Sequence, residues 1–453
     1  MSSGGPLPGF RDFYPGECAE RAHLFAAWRA VAARYAFVEY DGPPLEPLDL
    51  YTRKSGDEIV GQLYNFEDKG GRAIALRPEM TPTFARMVAS RANALRKPLR
   101  WFAVPQLFRY ERAQKGRLRE HYQLNVDIVG EVSEVADAEL LAVAIDIMAE
   151  LGLTADDVRA RVSDRRLLSA ALSALGLDAS QQAAAYAVID KYERQPREVS
   201  LEKLTAAGIA AREVDRLVGL IESKDLDAFV AASGGAASVE AAAAPLRRAF
   251  GHLEAMGLGA WIDFDPRIVR GLAYYTGIVF ELFDARGEFR AICGGGRYDS
   301  LLQALGGVDL PALGFGMGDV VLGELLRARG LMPVGDASRR TAFIVGGPGA
   351  ADRPFGDALR LARVLRAQGV AVDHALSEDK YSTQAVRNQM DAAKKAGAAA
   401  VLYFDSADAL TAIALSGRMA DAPRWTGPAT AILAGDSSLY DLCRWLAAPT
   451  PTL

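Results

Sequence analysis

Residues Trp101 to Gly130, WFAVPQLFRYERAQKGRLREHYQLNVDIVG, constrain the fold more than any other stretch of the chain. Trp101-Phe102-Ala103-Val104 is an apolar run of the length of a buried strand, and it leads into the charged Phe108-Arg109-Tyr110-Glu111-Arg112. Lys115, Arg117 and Arg119 cluster around Gly116, where the chain can reverse. Gln123-Leu124-Asn125-Val126-Asp127-Ile128 then alternates polar and apolar residues, the period of a strand with Gln123, Asn125 and Asp127 on one face. The two runs are expected to pair antiparallel, gathering arginines and carboxylates on one surface under a basic loop. A planar guanidinium grips phosphate through two parallel hydrogen bonds, so the surface suits a polyanion such as a nucleoside triphosphate. Taken alone, a basic loop of this kind is more often a solvated hairpin.

The string FRYERAQKGRLREHYQ closely resembles the second signature motif of class II aminoacyl-tRNA synthetases, in the form used by histidyl-tRNA synthetases. Other segments carry the same resemblance. Gly9-Phe10-Arg11-Asp12-Phe13-Tyr14-Pro15 matches the family's opening. Glu17 to Ala36 has helical periodicity, and a strand and Pro43-Pro44 follow, the order of the first class II motif, which in the family forms the dimer interface. An ordinary helix–strand pair would read the same way.

Tyr64 to Asp68 and Ala73 to Glu79 read as strands of a hairpin turning at Gly70-Gly71, and Arg77-Pro78-Glu79-Met80-Thr81 then starts a helix. Glu79 and Thr81 suit a helix N-terminus on their own account. In the family, LRPE-x-T instead receives the α-amino group of histidine. Val269-Arg270-Gly271-Leu272-Ala273-Tyr274-Tyr275 resembles the histidine-specific signature, with Ala273 where many members carry Asp. Adjacent tyrosines on a strand point to opposite faces, so one of them faces a ligand unless a bulge intervenes. Cys293-Gly294-Gly295-Gly296-Arg297-Tyr298-Asp299 resembles the next family segment, whose glycines let backbone approach a ligand. Leu313 to Gly318 opens the third class II motif.

The resemblance implies an α+β architecture: a class II antiparallel sheet catalytic domain with a helical insertion, and a C-terminal α/β domain of the anticodon-binding type. The expected boundaries are 1–163 and 256–330 for the two parts of the catalytic core, 164–255 for the alanine-rich insertion, 331–339 for a linker and 340–453 for the C-terminal domain. In the last, strands at Ala342 to Val345, Val370 to His374 and Ala399 to Phe404 alternate with helices, which predicts a mostly parallel sheet.

At 453 residues and a formal net charge of -5 the chain is large enough for several domains and too acidic for a general nucleic-acid coat, so RNA contacts must be local. Lys394, Lys395 and Arg387 are candidates, although an exposed helix face reads alike. Cys18, Cys293 and Cys443 offer no disulfide framework, and the histidines at 23, 121, 252 and 374 do not cluster, so neither a zinc site nor an oxidising compartment is expected. No signal peptide or membrane-spanning run is read, and a cytoplasmic placement is expected.

By resemblance, the activity is that of a histidine–tRNA ligase acting on L-histidine, ATP with Mg2+, and tRNA(His), as a homodimer. Arg109 would hold the α-phosphate, Glu111 the adenine amino group and Arg117 the terminal phosphates. Arg270 would neutralise charge on the α-phosphate during attack. Glu79, Thr81, Gln123, Asp127, Tyr274, Tyr275 and Tyr298 would recognise histidine. One departure stands out: the third motif continues Asp319-Val320-Val321-Leu322, with Val321 where the family places an arginine against ATP. Valine donates no charge-assisted hydrogen bond and stacks no cation, so either another arginine, Arg117 or Arg112, compensates or ATP is held less tightly. Two other readings carry weight: a synthetase-like regulatory subunit of histidine biosynthesis, and a synthetase paralogue with another acceptor. Against the first, the chain keeps both Arg270 and a C-terminal domain.

Overall fold

The computed structural model describes residues 4–55, 61–110, 118–269, 275–333, 341–348, 353–382, 386–415 and 423–447. Contacts within the chain divide it into two compact units, Met1–Pro333 and Val334–Leu453.

The first unit is organised on the strand Glu120–Val129. Leu124, Val126 and Ile128 bury on one face, against Trp28 and Val31 of helix Pro15–Arg34 and Leu140 and Ile147 of helix Glu134–Glu150. Alternation sends Gln123, Asn125 and Asp127 to the opposite face. Helix Glu134–Glu150 is apolar nearly all round, which suits its burial, and the Ser133 hydroxyl caps it by accepting from Val135 N at 3.1 Å.

Ten residues give Glu120–Val129 the length to serve two partners along one edge. Leu99–Ala103 pairs antiparallel with its second half, Trp101 opposite Asp127, and Gln106–Phe108 pairs antiparallel with its first, Gln106 opposite Tyr122. The break between these partners contains Pro105, which has no amide to give a ladder; its carbonyl accepts from Gln123 N at 3.1 Å. Ala312–Gly318 pairs along the other edge, with Gly314 opposite Asp127 and Gly316 opposite Asn125. The nine-stranded sheet continues through Cys293–Arg297, Ile278–Asp284, Val158–Asp164 and Ile262–Phe264, and Val38–Glu39 lies beyond Leu99–Ala103. Among the described residues, only the outermost pairings of this sheet are parallel.

On the polar face, one end of the sheet is closed by helices Thr81–Arg91 and Leu301–Gly306, whose Phe84, Val88, Leu301 and Leu305 cluster with Leu99, Val129 and Ala312. A small antiparallel sheet of Leu45–Pro47, Ala73–Leu76 and Asn65–Glu67 precedes them, its turn made by Gly71 at φ +74°. Between Arg165 and Ala255 the described chain is helical, and Leu217, Phe229 and Leu246 share the main core with Phe264 and Phe280 of the sheet. No helix among the described residues is long and apolar enough to cross a membrane.

The second unit corrects one expectation. Its strand order is Ala371–His374, Thr341–Ile344, Ala400–Ser406, Ala409–Ala414, Arg424–Pro428. The first two pairings are parallel and the last two antiparallel, so the sheet is mixed rather than mostly parallel. Only Ala407 and Asp408 separate Ala400–Ser406 from Ala409–Ala414, far too few residues for the crossover that a parallel pair requires. Helix Phe355–Ala367 buries Leu361 and Leu365 in this unit's own core, with Phe404 and Leu410.

Candidate active site

Glycines keep the polar face of the first unit's sheet open. A Cβ on Gly314 would lie 2.2 Å from Asp127 Oδ1, 2.7 Å from the Val126 carbonyl oxygen and 2.9 Å from the Tyr298 hydroxyl. On Gly316 it would lie 2.8 Å from the Gln123 side chain. Gly295 has a different reason: a Cβ there would come within 2.3 Å of the Gly314 carbonyl oxygen and 2.5 Å of Phe315 Cβ, so it serves strand packing.

The floor of this open strip is a carboxylate in a ring of tyrosines. Asp127 is 6 % exposed and Tyr298 3 % exposed, and the Tyr298 hydroxyl donates to Asp127 Oδ1. Burial pushes the Asp127 carboxyl up to about 7, against a lesser downward pull from the Tyr298 hydrogen bond. Burial also raises the Tyr298 hydroxyl well above its ordinary value, with the charge of Asp127 adding to the rise. Tyr40, which lies 5.5 Å from both Phe84 and Trp101 ring to ring, keeps a buried hydroxyl with no hydrogen-bond partner among the described residues. Tyr275 is half-buried against the same cluster as Tyr298.

The segment that precedes Glu79 and Thr81 is held by a clamp. Arg77 is buried, and its guanidinium donates to the Gln106 carbonyl at 3.0 Å, to the Gly42 carbonyl at 2.7 Å and to Asp41 at 2.8 Å. Phe108 N donates to the Arg77 carbonyl at 3.0 Å, and Arg109 Nε to the Pro78 carbonyl at 2.9 Å. Thr81 begins helix Thr81–Arg91, and Glu79 is half-buried two residues before it.

Over the first half of Glu120–Val129 the strip widens into a cleft of about 350 Å³. Arg109, His121 and Gln123 line it, together with Gly316 of the neighbouring strand, Val321 of helix Asp319–Ala328 and the loop residue Arg290. Burial, and secondly the charges of Arg109 and Arg11, push the His121 imidazole down to about 3, so it is neutral at physiological pH. Of the residues singled out from sequence, Asp127, Tyr275 and Tyr298 fall on this strip and Arg109 and Gln123 on the cleft, while Glu79 and Thr81 lie just after Pro78, whose carbonyl Arg109 holds. Glu111, Arg117, Arg270 and Tyr274, together with Arg112, lie outside the described residues.

Several residues escaped the sequence reading. Arg11 Nε donates to Glu120 at 2.6 Å and its Nη1 pairs with Asp319 at 2.9 Å, while Asp319 also accepts from Tyr122 N at 3.0 Å. Asp319 is thus a structural anchor, joining the opening segment and the third motif to the central strand. Arg297, inside GGGRYD, is 3 % exposed; it pairs with the buried Asp137 and donates to the Glu131 carbonyl at 2.9 Å, so it ties strand to helix rather than facing the strip. His121 and Arg290 are the other two. The only sequence signal for Arg290 was its place three residues before Cys293 of the glycine-rich strand.

The antiparallel-rich sheet and its glycine-lined face give the first unit the architecture of a class II synthetase, and the second unit is a separate α/β unit. The structure of histidyl-tRNA synthetase from Nostoc aligns over 98 % of this chain and 99 % of its own, with a TM-score of 0.82 at 20 % identity, which bears on the fold. The family model for histidyl-tRNA synthetase matches residues 9–318. A histidine–tRNA ligase of Opitutus terrae is 44 % identical over 389 residues, 85 % of this chain and 88 % of that one. That of Halobacterium salinarum is 39 % identical over 426 residues, 94 % of this chain and 96 % of its own. The chain belongs to the histidyl-tRNA synthetase family.

Proposed function

We propose that this chain is a histidine–tRNA ligase. A carboxylate oxygen of L-histidine attacks the α-phosphorus of ATP and pyrophosphate leaves, giving histidyl-adenylate. A hydroxyl of the 3′-terminal ribose of tRNA(His) then attacks the activated carbonyl and AMP leaves. The observation that carries the reading is the strip itself: a buried Asp127–Tyr298 pair under a face that Gly314 and Gly316 keep clear, running into the cleft beside Arg109.

In this reading the imidazole N–H of histidine donates to Asp127, and Gln123, Tyr275 and Tyr298 enclose the ring. Glu79 and Thr81 take the α-amino group. A site built around a buried acceptor rejects an apolar isostere strongly, because that acceptor would be left unpaired. Arg109 lies against the α-phosphate, where a guanidinium fork stabilises charge that grows during attack. Glu111, Arg117, Arg270 and Tyr274 take the roles their motifs imply. Mg2+ is assigned to the ATP polyphosphate, which supplies oxygen ligands.

The working form is proposed to be a cytoplasmic homodimer. In support, Val38 on the outermost strand is 62 % exposed, with Leu45 and Phe66 exposed on the small sheet nearby in sequence. The test is histidine-dependent exchange of labelled pyrophosphate into ATP, with Arg270→Ala as control. Exchange that requires histidine and is lost in the variant is expected. A folded protein without exchange would refute the ligase reading and favour the regulatory one.

A further inference from the structure

The cleft beside Arg109 contains a cation that the reading above leaves unused. We propose that Arg290 supplies the ATP contact that Val321 cannot make, so that in this chain the cation has moved from the third-motif helix to the loop before the glycine-rich strand. This rests on the ligase reading and extends it to how the nucleotide is held.

Arg290 follows strand Ile278–Asp284 and precedes strand Cys293–Arg297, and it lines the same cleft as Val321 and Arg109. Val321 sits in the first turn of helix Asp319–Ala328, half-buried and packed against the main core. Its isopropyl group closes the helix side of the cleft without offering a donor. The neighbouring arginines are already engaged: Arg11 with Glu120 and Asp319, Arg297 with Asp137, and Arg329 with Asp284. Arg290 is exposed, and among the described residues no hydrogen bond or ion pair ties its guanidinium. A cation on the wall of a cleft, with all its donors available, is suited to meet an incoming polyanion.

Position along the strands assigns Arg290 to the nucleotide rather than to histidine. The Asp127 level of the sheet runs through Gly314 to Gly296, and the Asn125 level through Gly316 to Gly294. Arg290 lies six residues before Gly296, beyond the start of the strand, whereas the strip's buried acceptor lies at the Gly296 level. At about 3.3 Å of rise per residue, the two ends of the strip are separated by more than the span of an imidazole.

The test combines pyrophosphate exchange with direct titration of Mg·ATP in the full chain. In Arg290→Ala the KM for ATP is expected to rise about 10- to 100-fold, the loss of a charge-assisted contact, while the KM for histidine stays within about twofold. In the double variant Arg290→Ala/Val321→Arg, a guanidinium returned from the helix side is expected to recover most of the ATP affinity. An unchanged KM for ATP in Arg290→Ala, with the variant's thermal midpoint at the wild-type value, would overturn the proposal. A double variant no better than Arg290→Ala would overturn the exchange of roles between the two positions. The titration separates this inference from the reading it rests on: ATP binding that weakens in Arg290→Ala, in a protein with no histidine-dependent exchange, would sink the ligase reading and keep the Arg290 contact.

Discussion

Gly314→Ala should cost far more than Gly316→Ala, although both add one methyl to the same face of the same strand. The added Cβ at Gly314 meets the Val126 carbonyl oxygen at 2.7 Å, backbone held by the pairing of Gly314 with Asp127. It also falls between the partners of a buried hydrogen bond, 2.2 Å from Asp127 Oδ1 and 2.9 Å from the Tyr298 hydroxyl. Neither obstacle can swing away. Overpacking of this kind costs about 1–3 kcal/mol, and displacing a hydrogen bond to a buried carboxyl adds about 1.5–3 kcal/mol, so a total of about 3–5 kcal/mol is expected. At Gly316 the obstacle is the end of the Gln123 side chain, 2.8 to 3.0 Å away, which can rotate into the cleft. Stability there should fall by less than about 1 kcal/mol, while histidine binding suffers because Gln123 has left its place. The assay is urea unfolding of both variants followed by circular dichroism, alongside the KM for histidine in pyrophosphate exchange. Equal stabilities for the two alanine variants, or a Gly314→Ala protein as stable as the wild type, would refute the steric argument.

The ionisation of Asp127 makes a second expectation. Its carboxyl is raised from 3.8 to about 7 in the folded chain, so the folded state holds the proton more tightly than the unfolded state does. Stability from this group is therefore full below its unfolded value and is lost as pH rises towards 7. Asp127→Asn removes that dependence, and its stability relative to wild type should climb by roughly 4 kcal/mol between about pH 4 and 7 and then level off. Urea midpoints across that range check it, and a constant difference between the two proteins would contradict a buried, proton-holding Asp127. For the Arg297–Asp137 pair, Arg297→Met strands a buried carboxyl and should cost about 3–5 kcal/mol, whereas Arg297→Met/Asp137→Leu should recover most of it. Thermal unfolding of the single and double variants decides, and a double variant as unstable as the single one would show that packing, not charge, is at stake.

Much of the candidate site was legible before any coordinates. The alternation of Gln123 to Ile128 and the glycines at 294–296 are local patterns, set by backbone geometry acting on neighbouring residues. So were the helix after Arg77 and the split between the alanine-rich segment and the strand-rich ones. The roles of Arg297 and Asp319 were not, because each depends on a partner brought from far away: Asp137 for the first, Arg11 and the Tyr122 amide for the second. The mixed sheet of the second unit was missed for a related reason. Strand propensity marks the strands, but the short turn at Ala407-Asp408 decides their direction.

By itself, then, the order of residues determined which segments are strands and helices, which face of each is apolar, and which family the motifs belong to. Tertiary structure alone decided which side chains meet. Asp127 and Tyr298 are 171 positions apart, and the strand register makes them one hydrogen-bonded pair whose burial, not its composition, raises the carboxyl. Val321 and Arg290 become walls of one cleft only because a helix and a loop from different parts of the sheet face the same strand. Periodicity is a property of a segment and can be read along it; desolvation and juxtaposition are properties of the packed whole.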